Sequence, residues 1–91
     1  MYQVKIIADV IDPSDPAYLK ANDAVLRASL NFGCERSIEY MGNIEVGVFT
    51  FPDKDACLRF RNCPEHVAAM KSVSRFYRSM KIERMEIHET T

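Results

Sequence analysis

Apolar and polar residues alternate from Tyr2 to Ile11. Tyr2, Val4, Ile6, Ala8 and Val10 share one side, and Gln3, Lys5, Ile7, Asp9 and Ile11 share the other. A period of two predicts a strand with one wholly apolar face that must be covered. Asp12-Pro13-Ser14-Asp15-Pro16 ends the strand and opens a helix. Asp15 is placed to accept from a free N–H of the first turn, and Pro16 suits the first helical position because its missing donor is unused there. Tyr18, Ala21, Val25, Ala28 and Phe32 then recur at helical spacing, with Leu19, Leu26 and Leu30 widening the stripe. Gly33 supplies the left-handed end.

Cys34 to Met41 predicts a second strand, Gly42-Asn43 a tight turn, and Ile44 to Phe51 a third strand paired with it. In the third strand Ile44, Val46 and Val48 lie on one face and Phe49 and Phe51 on the opposite one. Both faces are apolar, as expected of a central strand covered on two sides. Asp53 caps a second helix whose buried side is Ala56, Cys57 and Phe60. Pro64 interrupts it, because proline disfavours helical geometry at Cys63 and cannot donate to the preceding turn. The helix is expected to restart with Cys63 as cap and Pro64 first inside. Val67, Met70, Val73 or Ser74, and Tyr77 continue its apolar stripe, and Lys81 to His88 predicts a closing strand. The order βαββαβ defines an α+β, ferredoxin-like fold: a four-stranded antiparallel sheet with helices on one face. Residues 1–91 suffice for one such domain, and so small a core makes a second copy over the open sheet face an expected remedy.

Composition narrows the function classes. With 47% apolar and 27% charged residues the chain is expected to fold, and a net charge of −1 argues against a dedicated nucleic-acid binder. The charge is unevenly spread: residues 1–45 carry four Lys/Arg against seven Asp/Glu, and residues 46–91 eight against six. RNA-recognition motifs share this strand order, but they present aromatics on the open face of the third strand, where Val46 and Val48 stand here. No apolar run approaches the roughly 20 residues of a spanning helix, and no secretory pattern is visible. Three cysteines, Cys34, Cys57 and Cys63, make a disulfide framework an unsuitable reading, so a reducing cytoplasmic setting is expected.

From Phe49 to His66 a strand ending in an aromatic is followed by an acidic-capped short helix and then by Pro64-Glu65-His66 at a helix restart. This segment resembles the stress-responsive α/β-barrel (Dabb) family, and more loosely the antibiotic-biosynthesis-monooxygenase-like proteins. The resemblance implies a homodimeric α/β barrel that binds or transforms a small apolar or aromatic molecule. It also implies cofactor-independent oxygenase or cyclase chemistry, with no cofactor, and His66 as the proton-handling residue. Where cyclases of this kind commonly have tyrosine the chain has Phe60, and where many Dabb members carry a first-strand histidine it has Tyr2, Gln3, Val4 and Lys5.

Other chemistry-bearing residues admit plainer readings. His66 in the first turn of a helix faces the positive end of the dipole, which favours neutral imidazole; the plain alternative is a helix-start residue bonding to backbone or solvent. Cys63 as cap is placed for a stabilised thiolate, or is simply a small side chain at a helix break. Cys63 with His66 gives a C-x-x-H pair, two ligands short of a zinc site, and neither Cys57 nor His88 completes it. Lys71, Arg75 and Arg78 form a basic stripe along the last helix, either a solvated face or a surface for an acidic partner. Phe60, Cys63, Val46, Val48 and Tyr77 are the expected pocket or interface residues. The competing function is a non-catalytic interaction module using the open sheet face or the basic stripe; a degenerate nucleic-acid-binding domain ranks third.

Overall fold

A computed structural model describes residues 1–87. Its elements are β1 (Tyr2–Val10), α1 (Pro16–Ser29), β2 (Glu35–Met41), β3 (Ile44–Phe51), α2 (Lys54–Asn62), α3 (Pro64–Val73) and β4 (Tyr77–Glu86), with single 3-10 turns after α1 and α3. The strands form one antiparallel sheet in the order β2-β3-β1-β4. The βαββαβ, ferredoxin-like architecture expected from the sequence is the one observed. No helix among the described residues is long and apolar enough to cross a membrane.

Local chemistry sets the element ends. Asp15 accepts from the Ala17 N–H at 2.9 Å, and Asp53 from the Ala56 N–H at 2.7 Å. Each bond satisfies a donor that a helix start otherwise leaves free. Gly33 closes the turn after α1 at φ 67°, a conformation that strains any residue with a Cβ. Gly42 turns the β2–β3 hairpin at φ 60°.

Strand register decides which residues face the helices. Val4 pairs with Phe49 on one side and Arg84 on the other, and Ile6 with Gly47 and Ile82. Two core clusters result. Val4, Phe49, Phe51, Ala56, Cys57 and Phe60 pack beneath α2, while Ala8, Val10, Tyr18, Val25, Ala69 and Val73 pack between the sheet, α1 and α3. The helix-free face carries Ile44, Val46 and Val48 on β3 beside Ile7 on β1, all half-buried by their neighbours within the sheet.

Three details depart from the sequence reading. Leu19 and Leu30, expected to widen the α1 stripe, are exposed, because Tyr18, Asn22, Val25, Ala28 and Ser29 occupy the packed line. Val67 is likewise exposed, and α3 buries Ala69 and Val73 instead. The closing strand begins at Tyr77, four residues earlier than expected, and ends at Glu86; His88 lies outside the described residues. Helical spacing of Lys71, Arg75 and Arg78 concealed that start. The basic helix stripe therefore does not exist: Arg75 sits in a 3-10 turn over the Phe76 ring, and Arg78 lies on β4, 3.7 Å from Asp9 Oδ1.

Candidate functional site

The break between α2 and α3 builds the site. Pro64 forces Cys63 out of helical geometry, to φ −72° and ψ 141°, so its side chain caps the new helix and its Sγ accepts the His66 N–H at 3.4 Å. That contact fixes the backbone of His66 in the first turn of α3. Its ring packs on Phe60 with centroids 4.1 Å apart, and Phe60 in turn leans on Phe51 and Phe32 at 5.5 and 5.7 Å. An aromatic ladder from the sheet through α2 thus holds the imidazole in place.

His66 forms part of the wall of a cavity of about 200 Å³ between the sheet and the α2–α3 elbow. Val4 and Ile6 of β1, Phe49 and Phe51 of β3, Ile82 of β4, Cys57, Phe60 and Met70 supply apolar surface, and Arg61 and Arg84 complete the lining. The imidazole Nδ1 is buried without a hydrogen-bond partner among the described residues. A buried polar atom in that condition costs free energy unless a partner arrives, which makes it a natural contact for a ligand. Burial, then the positive charge of Arg61, hold the His66 pKa below its ordinary value. At neutral pH the ring is therefore an uncharged base or acceptor. The cause is chiefly desolvation, where the sequence had suggested the helix dipole. Burial also pushes the Cys57 thiol up, against the opposing pull of Arg61 and Arg84, so its weak nucleophile stays protonated.

The remaining expected site residues fall in different places. Phe60 joins His66 in the cavity wall, and Cys63 acts behind it as the cap. Val46 and Val48 lie on the opposite, helix-free face of the sheet and belong to a surface, not to the pocket. Tyr77 lies at the far end of the core, turned inward by a bulge between Asp9 and Val10. There its hydroxyl donates to Glu45 Oε2 at 3.2 Å, and the Tyr18 and Tyr40 hydroxyls lie 2.9 Å apart. Burial and the nearby Glu45 raise the pKa of Tyr77, so it remains a donor through the physiological range. Glu45, Arg61 and Arg84 were missed as site residues. The available signals were phase: Glu45 shares the alternation of Phe49 and Phe51, and Arg84 that of Ile82.

A four-stranded antiparallel sheet in the order β2-β3-β1-β4 with helices on one face defines the ferredoxin-like class of fold. Solved structures agree with that class. The chain superposes on a candidate antibiotic biosynthesis monooxygenase from Caulobacter crescentus with a TM-score of 0.83 and 15% identity over 97% of this chain and 90% of that one. A similar candidate from Nitrosomonas europaea gives a TM-score of 0.80 and 13% identity, over 94% of this chain and 97% of the other. SnoaB, a cofactor-independent oxygenase from Streptomyces nogalater solved in a mutant form, gives 0.73 and 13%, over 98% of this chain and 94% of that one. At these identities the likeness is one of fold. No protein-family description and no curated protein matches the sequence.

Proposed function

We propose that this chain is a homodimeric α/β-barrel protein whose helix-side cavity binds or transforms a small apolar or aromatic molecule, with His66 handling the proton. The observation that carries this reading is the unpartnered Nδ1 of a neutral imidazole, buried in the wall of an otherwise apolar cavity. Such a base accepts a proton from a phenol or from a C–H acidified by a neighbouring carbonyl, and apolar walls that exclude water suit the task. Two outcomes follow from the resulting anion. Dioxygen as co-reactant would oxidise it, as the cofactor-independent oxygenase chemistry named for SnoaB suggests; a carbonyl in the same molecule would be attacked in a cyclisation. The Pro64-Glu65-His66 segment and its likeness to Dabb proteins support the same assignment of roles. No cofactor or metal is needed for the proton step. Three free thiols suit a reducing, cytoplasmic setting.

The second subunit has a natural seat. Ile7, Ile44, Val46 and Val48 form an apolar strip on the helix-free face, and its burial by another copy supplements a core drawn from only 91 residues. A non-catalytic module binding another protein through that strip is the competing reading, and the occupant of the strip separates the two.

The proton step is tested without knowing the substrate. 2-Tetralone, a bicyclic ketone with an acidified C–H, is incubated in deuterated buffer and its exchange followed by NMR. Wild type should accelerate exchange over buffer, and His66→Ala, folded by circular dichroism, should lose about two orders of magnitude of that acceleration. An unchanged rate in His66→Ala would remove the catalytic role.

A further inference from the structure

The cavity lining includes two arginines, both exposed to solvent on one side, and no acid. Arg61 reaches it from the last turn of α2, and Arg84 from β4 in the same cross-strand row as Val4 and Phe49. Three arginines outside the cavity are compensated by carboxylates: Arg27 pairs with Asp23 at 2.7 Å, Arg59 with Asp55 at 3.0 Å and Arg78 with Asp9 at 3.7 Å, while Arg75 lies over the Phe76 ring. Neither Arg61 nor Arg84 makes an ion pair among the described residues, and no carboxylate lines the cavity. Both residues belong to the lining of the same cavity, with Cys57 and His66. Two permanent positive charges beside a neutral imidazole and an aromatic floor form a complement to one kind of molecule.

We propose that the pocket selects a small aromatic or aliphatic carboxylate, its anion held by Arg61 and Arg84 and its apolar body against Phe49, Phe51 and Phe60. This rests on the reading of the cavity as a ligand site. A guanidinium fork matches a carboxylate in bidentate geometry, and charge-assisted bonds are the strong ones. A phosphate dianion fits less well, because its desolvation against so apolar a wall costs more. The cavity of about 200 Å³ is below the usual range for drug-sized ligands and limits the body to about one or two fused rings.

A matched pair tests the charge separately from the pocket. Calorimetric titration at pH 7.5 compares 2-naphthoate with 2-naphthalenemethanol, which has the same body and no charge. Naphthoate should bind about tenfold or more tightly than the alcohol. The double variant Arg61→Gln/Arg84→Gln should bring naphthoate down to the affinity of the alcohol while leaving the alcohol within about twofold. Arg61→Lys/Arg84→Lys should keep part of the preference, and Arg27→Gln, which removes an exposed charge outside the cavity lining, should keep all of it. Equal affinities in the wild type, or a preference that survives loss of both guanidinium groups, overturn the carboxylate assignment while the pocket stands. Binding of neither probe overturns the pocket reading and this inference with it.

Discussion

Phe60 joins stability to the state of His66, so its truncation tests both at once. The ring is 6% exposed and touches His66, Phe51 and Phe32. Phe60→Ala removes its transfer free energy and leaves a cavity, at a cost of about 3–5 kcal/mol. A domain of this size has about 5–15 kcal/mol in total, so the variant should be near the edge of folding. With an m-value of about 2 kcal/mol/M, the urea midpoint should fall by about 2 M, measured at one fixed protomer concentration. Phe60→Leu fills most of the volume and loses mainly the aromatic pairing, about 1 kcal/mol, and provides a folded variant for the second measurement. Burial is the first cause of the lowered His66 pKa. Opening the wall should therefore move the imidazole titration, followed by NMR at Cε1, upward toward the ordinary histidine value. A loss below about 1 kcal/mol in Phe60→Ala would show that the ring does not seat the core. An unmoved His66 midpoint in Phe60→Leu would show that desolvation by this ring does not set it.

Three further outcomes follow. Because the folded-state pKa of His66 lies below its ordinary 6.5, the unfolded chain binds more protons between those two values. Stability should therefore fall as pH drops from 6.5 through the folded-state pKa, and His66→Gln should lack that component in urea titrations across the window. Val46→Glu places a charge in the apolar strip of the helix-free face; sedimentation should show dimer in the wild type and monomer in the variant, and a wild type that is monomeric at micromolar concentration would refute the barrel. Tyr77→Phe removes the hydroxyl that donates to Glu45, itself 3% exposed, and should cost about 1.5–3 kcal/mol by thermal or urea unfolding, with a loss under about 0.5 kcal/mol contradicting the bond.

Much of the fold was legible because its signals are local. Period-two alternation marked β1 and β3, Asp15, Asp53 and Cys63 marked helix starts, and Gly33 and Gly42 marked turns. The elbow at Pro64 also placed His66 in a first helical turn correctly. The misreadings share another cause: they depend on rotation and register. Leu19 satisfies the stripe as well as Tyr18 does, and only packing against the sheet chooses between them. Arg75 and Arg78 follow helical spacing, yet a 3-10 turn takes Arg75 and the pairing of Val10 with Tyr77 starts the strand that carries Arg78. The pocket required register as well, since Arg84 joins His66 only after β4 is laid beside β1 opposite Val4. Sequence could name His66 and the Phe60 ring beside it, but not the cationic residues brought from elsewhere.

The most direct measurement is an NMR map of amide shifts on titrating 2-naphthalenemethanol, which carries no charge and so probes the cavity itself. A ligand pocket between the sheet and the α2–α3 elbow predicts the largest saturable shifts at Val4, Phe49, His66 and Ile82. Shifts confined to Ile44, Val46 and Val48 on the helix-free face, or none at all, would contradict it.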